Sequence, residues 1–147
     1  MKRNLIQFPQ PSPLDEFILI PEGLYELKLV THYTAIQFQS PRLVMEFSVC
    51  ECGDYFGSRL FRYYHLERLD GKAGKHGRFV AKARGDLMIE YCTLFPRKVR
   101  RDRLSLAPLY NSVIIGKVAT VTKNNQGKAL PEPLQYSKIS ELVRLAS

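Results

Sequence analysis

LVMEFSVCECGDYFGSRLFRYYHL, residues 43–66, reads as two strands joined by a tight polar turn, and the fold follows from how its halves differ. In the first half Leu43, Met45, Phe47 and Val49 alternate with Val44, Glu46 and Ser48. One face of such a pleated strand is apolar and needs a core beneath it. The second half, residues 58–66, also alternates but mixes rings with cations: Arg59, Phe61, Arg62, Tyr63, Tyr64 and His65. A strand carrying charges on both faces cannot be wholly buried, so it is expected to be part core wall and part binding surface. Arg59, Phe61, Tyr63 and His65 share one face; Leu60, Arg62, Tyr64 and Leu66 share the other. The two leucines point the second set inward and leave Phe61 and Tyr63 outside, unless a bulge at Gly57 exchanges the faces. Between the strands, ECGDYFG supplies two glycines and an aspartate for a hairpin turn.

Working outward, residues 22–33 form a half-buried strand with Tyr25, Leu27 and Leu29 on one side and Glu26 and Lys28 on the other. Residues 31–40 connect it to the hairpin, as a long loop or as strands running past the sheet. Residues 67–77, ERLDGKAGKHG, have three glycines and little apolar content, and are expected to be a flexible basic loop. Over residues 78–95 the period changes: Phe79, Ala83, Leu87, Tyr91 and Leu94 predict the apolar face of a helix, interrupted at Gly85 and stopped by Pro96. Residues 112–122, SVIIGKVATVT, are β-branched and read as a strand. A turn at residues 124–127 precedes a short last strand over 134–139 and a terminal helical turn over 140–146. The order strand, strand, strand, helix, strand, strand predicts a mainly β protein: a five-stranded OB-fold-like barrel with one helix between strands 3 and 4. A plain antiparallel sheet crossed by one helix is the alternative.

The chain of 147 residues fits one domain, expected over residues 22–147. It is preceded by a proline-rich arm over residues 1–21, anchored by the apolar run of residues 17–20. No run of about 20 apolar residues exists, and the prolines after Met1-Lys2-Arg3 argue against a signal peptide. A cytoplasmic location, away from membranes, is expected. The three cysteines, Cys50, Cys52 and Cys92, suit free thiols better than a disulfide framework. The Cys-Glu-Cys spacing lacks a second ligand pair, and His32, His65 and His76 lie apart in sequence, so neither metal nor cofactor is expected.

Charge placement says more than net charge. Residues 59–103 hold 13 Lys/Arg against 5 Asp/Glu, while the remainder is balanced at nine each, so the whole excess of +8 sits in one third of the chain. That is the electrostatic footprint of a polyanion binder. No P-loop, Gly-x-Ser-x-Gly elbow or His-Glu-x-x-His is present, and Glu46, Glu51 and Asp54 sit where acids serve a hairpin turn. A non-enzymatic protein is expected. Single-stranded nucleic acid is held by cations that follow its phosphates and by rings on which bases stack. Phe61, Tyr63 and Tyr64 are the candidate rings among Arg59, Arg62 and Arg68. The loop residues Lys72, Lys75, His76 and Arg78 and the run Arg97, Lys98, Arg100, Arg101 and Arg103 are the candidate phosphate contacts.

Several short motifs point the same way. Gly23-Leu24-Tyr25 opens the first strand, and LVMEFSV at 43–49 leads through Tyr55-Phe56-Gly57-Ser58-Arg59 to the aromatic strand ending near His65-Leu66. A helix and the Gly116-Lys117-Val118 strand follow, before residues 124–128. Over residues 21–142 this pattern resembles bacteriophage and mobile-element single-stranded-DNA-binding proteins with an OB-fold. The resemblance implies sequence-independent binding in replication or recombination of phage, plasmid or integrated-element DNA inside a bacterial host. Single-stranded DNA and replication or recombination proteins are the partners it implies, with self-association left open. The chain departs from the pattern in its 97–103 run and in having only Glu141 as an acid over residues 140–147, which argues against recruitment through an acidic tail. An RNA binder on the same fold, or a protein-interaction module whose basic face docks an acidic partner, are the competing readings.

Overall fold

In a computed structural model of the chain, residues 18–124 and 126–146 are described. Most of the proline-rich arm, residues 1–17, lies outside them. The elements run β1 (Gly23–Gln37), β2 (Ser40–Val49), β3 (Arg59–Leu69), β4 (Gly74–Lys75), β5 (Phe79–Ala81), α1 (Asp86–Leu94), α2 (Ala107–Tyr110), β6 (Val113–Val121) and β7 (Tyr136–Leu145), with one 3-10 turn at Glu132–Leu134. The protein is mainly β, with a seven-stranded antiparallel sheet in the order β5-β3-β2-β1-β6-β7 and β4 paired to β1. No ladder joins β3 to β7, so the hydrogen-bonded sheet is open.

The hairpin of residues 43–66 forms one half of this sheet, between β1 and β5. β2 and β3 pair in register from Arg42–His65 to Ser48–Arg59. Leu43, Met45, Phe47 and Val49 are buried on one face with Leu60, Tyr64 and Leu66 of the neighbouring strand. Removing a ring such as Phe47 from this packing would cost about 3–5 kcal/mol. No bulge at Gly57 reverses the faces; the register leaves Phe61 and Tyr63 on the opposite side from the core.

β1 serves two partners along one edge. Residues from Gly23 to Lys28 pair with β6, while Tyr33 and Thr34 pair with β4. The bulge at Val30, between Leu29 and Thr31, sits between the two pairings; a bulge bends the strand and increases its twist. β1 and β2 meet in a two-residue turn with Phe38 at φ 51° and Gln39 at φ 63°. Both values lie in the left-handed region that such hairpins require. Nothing in Phe-Gln signals that turn, and strands running past the sheet, the second expectation, is what the chain adopts. Gly116 lets β6 lie close to β1: a Cβ there would stand 2.4 Å from Leu27 Cδ1.

Three expectations are corrected. The helix of residues 78–95 begins only at Asp86, because Gly85 takes the extended N-cap conformation and Phe79–Ala81 instead pairs with β3 as β5. The basic loop of residues 67–77 is partly strand: β3 continues to Leu69, and β4 lies against β1. The terminal helical turn is strand, since β7 runs to Leu145 with Ile139 and Leu142 buried against β6. Bulges in that pairing break the strict alternation that would have identified it. Of the apolar run expected to anchor the arm, Ile20 is buried and exchanges hydrogen bonds with the Ser137 hydroxyl, Leu19 is exposed, and Phe17 lies outside the described residues.

Candidate functional site

On the face away from the core, Thr31, Glu46 and Phe61 stand in register across β1, β2 and β3. They form the floor of an open groove of about 1250 Å³. One wall is Asp70 and residues 75–79, which include β4 and the turn after it. The other is residues 102–107 with Tyr110. The first wall depends on Gly77, where a Cβ would meet Thr34 Oγ1 at 2.1 Å. Its turn is closed by Gly77 N–H donating to the Gly74 carbonyl, with His76 at φ 55°. The second wall is tied back to β5, as Ala81 N–H donates to the Arg101 carbonyl and the Arg101 guanidinium to the Ala81 carbonyl.

Of the residues expected to bind, Arg59, Phe61, Lys75, Arg78 and Arg103 line this groove. Tyr63 stacks on Phe61, centroids 6.2 Å apart and planes 28° from parallel, just beyond the lining. Arg68, Lys72, Arg97, Lys98, Arg100 and Arg101 are exposed but do not line it. Arg100 is held by a bidentate pair with Asp102 at 3.0 and 2.8 Å, and Arg97 lies over Phe95.

Arg62 and Tyr64 are corrections. They are 8% and 2% exposed, on the core side, and cannot reach a ligand in the groove. Both bind Glu90 of α1, itself buried. Arg62 makes a two-pronged ion pair with it, and the Tyr64 hydroxyl donates to Oε1 at 2.6 Å. The same oxygen accepts the Leu142 N–H of β7 at 2.9 Å. Burial alone would lower the Arg62 pKa, but the Glu90 carboxylate and Tyr64 outweigh it and hold the guanidinium above its ordinary value. Burial, then the Glu90 charge, pushes the Tyr64 hydroxyl well up, which keeps it a donor. A cation in an aromatic strand signals binding when exposed; here the signal is that of a satisfied interior charge.

The histidines are not all apart. His32 and His76 stack with centroids 4.7 Å apart, and His32 Nδ1 lies 2.6 Å from the Tyr110 hydroxyl. Burial, followed by the neighbouring His76, lowers the His32 pKa to about 4. All three residues line the groove; His76 was expected there only as a phosphate contact of its loop, and His32, Tyr110, Thr31 and Glu46 were not expected as site residues. No local spacing announces them, because only the β1–β4 pairing of Tyr33 with Lys75 brings residue 76 to residue 32. Among the described residues no group of three or more His, Cys, Asp or Glu is arranged to hold a metal.

The groove's charge is more balanced than the segment it comes from. Its lining holds four Lys/Arg and three Asp/Glu, and Arg59 is paired with Glu46 at 2.5 Å. Lys75, Arg78 and Arg103 have no carboxylate within ion-pair distance among the described residues. The floor therefore suits a ring face and a polar edge, while those three wall cations suit an anion.

No family model, curated protein or solved structure matches the chain.

Proposed function

We propose that the chain binds single-stranded nucleic acid, DNA foremost, in the groove across β1, β2 and β3. The observation that carries this is Phe61, a partly exposed ring on the groove floor, with Lys75, Arg78 and Arg103 on the walls. A ring takes any base by its π face, and wall cations take phosphates without regard to sequence, so binding is largely sequence-tolerant. Phe61 and Tyr63 stack bases; Arg59 and the three wall cations are the close polar contacts. Arg68, Lys72, Arg97, Lys98, Arg100 and Arg101 add a longer-range field that draws the strand in.

The sheet is read as an OB-like barrel. The long strands follow the order β3-β2-β1-β6-β7, the longest helix falls between β3 and β6, and Glu90 spans the seam between β3 and β7. The proposed role is non-enzymatic, in replication or recombination of phage, plasmid or mobile-element DNA in the bacterial cytoplasm, alongside other replication or recombination proteins. It rests on the resemblance of the strand motifs together with the groove.

A fluorescent oligonucleotide titrated at several salt concentrations tests the reading. Single strand is expected to bind more tightly than duplex, with log K falling against log salt by about 0.7 per phosphate neutralised. Phe61→Ala is expected to cost roughly 1–3 kcal/mol of binding while leaving thermal melting cooperative. Salt-independent binding, or preference for duplex, would overturn it. Competition with RNA of the same sequence separates the two nucleic acids through the 2′-hydroxyl.

A further inference from the structure

The ion pair on the groove floor does more than fill space. Glu46 stands directly across from Phe61 in the β2–β3 register, and Arg59 lies two residues before Phe61 on the same face. Their side chains meet at 2.5 Å and both reach solvent, the guanidinium 47% and the carboxylate 22% exposed. Side chains opposed across such a pair stand about 4.5–5.5 Å apart at Cβ. A base lying on Phe61 therefore presents its edge to Glu46 and Arg59. Phosphate is kept off this spot, because Glu46 is an anion that already occupies Arg59. The wall cations are its better partners.

A carboxylate only accepts hydrogen bonds and a guanidinium only donates. The edge that fits them offers a donor beside an acceptor, with no carbonyl facing the carboxylate. Cytosine has this in its 4-amino group beside N3, and adenine in its 6-amino group beside N1. Uracil and thymine offer as donor only the ring N–H between two carbonyls: with one carbonyl accepting from Arg59, the other lies against the Glu46 carboxylate and is repelled by it. From this we infer that Glu46, with Arg59, is a specificity-determining residue that favours amino-bearing bases over uracil and thymine at the Phe61 position. The inference rests on the binding mode proposed above and qualifies its sequence tolerance at one position.

The test compares oligo-deoxycytidine with oligo-deoxyuridine of equal length, which differ only at the base edge. Wild type is expected to bind the cytosine strand roughly fivefold to tenfold more tightly, the low end of what a good side-chain–base pair discriminates. Glu46→Gln keeps the volume of the side chain, but its amide can turn to donate or accept, so the ratio should fall towards one. Glu46→Ala should do the same, and thermal melting establishes that each variant is folded. Phe61→Ala should weaken both strands. Equal affinity of wild type for both, or a ratio unmoved by Glu46→Gln, overturns the inference and leaves single-strand binding standing. Failure of wild type to bind either strand overturns the binding mode itself.

Discussion

Three interior polar groups converge on Glu90. One carboxylate oxygen accepts from the Tyr64 hydroxyl and the Leu142 N–H, and the carboxylate as a whole neutralises Arg62. Glu90→Ala would leave a buried guanidinium, hydroxyl and amide without their acceptor. Loss of one partner of a buried ion pair costs about 3–5 kcal/mol; chemical denaturation is expected to show a fall of that size. Exchanging Glu90 and Arg62 together for apolar residues of similar volume should cost less, since no charge is then stranded. His32 adds a pH dependence. Its pKa is lowered, first by burial and then by His76, to about 4, against about 6.5 in an unfolded chain. Between those values the unfolded chain takes up a proton that the folded one refuses, so stability drops as pH falls through the window and levels off below about 4. His32→Asn is expected to flatten that part of the stability–pH curve, read from urea midpoints at pH 7 and pH 4.5.

At the scale of elements, the two basic stretches are not equivalent. β4 and the turn after it place Lys75 and Arg78 on the groove, whereas the run of residues 97–103 contributes Arg103 and commits Arg100 to Asp102 and Arg101 to the Ala81 carbonyl. Replacing Lys75, Arg78 and Arg103 with alanine should reduce the salt slope by about 2, at roughly 0.7 for each phosphate no longer neutralised. Arg100→Ala should leave it nearly unchanged. The sequence alone carried the β2–β3 hairpin and the outward placing of Phe61 and Tyr63, because alternation reads directly as a pleated face, and the β6 strand, through its β-branched content. It did not carry β4 or β5. Gly74–Lys75 is strand only because β1 offers an open edge there, and Phe79–Ala81 is buried throughout and has no period to read. Arg62 and Tyr64 were legible as inward-facing from the flanking leucines, but their acceptor lies 26 to 28 residues away on a helix. The contact between His32 and His76 was invisible for the same reason.

For the molecule as a whole, the sheet has one working side and one packed side, and the aromatic strand belongs to both. Leu60, Arg62, Tyr64 and Leu66 hold the interior while Arg59, Phe61 and Tyr63 face out. Between Arg59 and Leu66, ahead of the register shift at Glu67, a substitution on β3 is therefore sorted by residue parity: even positions should change stability and odd positions should change binding. Tyr64→Ala and Tyr63→Ala, measured side by side for melting and for oligonucleotide affinity, should separate along that line.

The bond from Leu142 N–H to Glu90 has a consequence for exchange with solvent. That amide is held by a side chain on α1. An amide within a ladder exchanges when its strands part; this one exchanges when the helix lifts from the seam. In native-state hydrogen–deuterium exchange, Leu142 should follow the denaturant dependence of the α1 amides rather than that of its β7 neighbours. It would then serve as a built-in reporter of whether the helix leaves before the sheet comes apart.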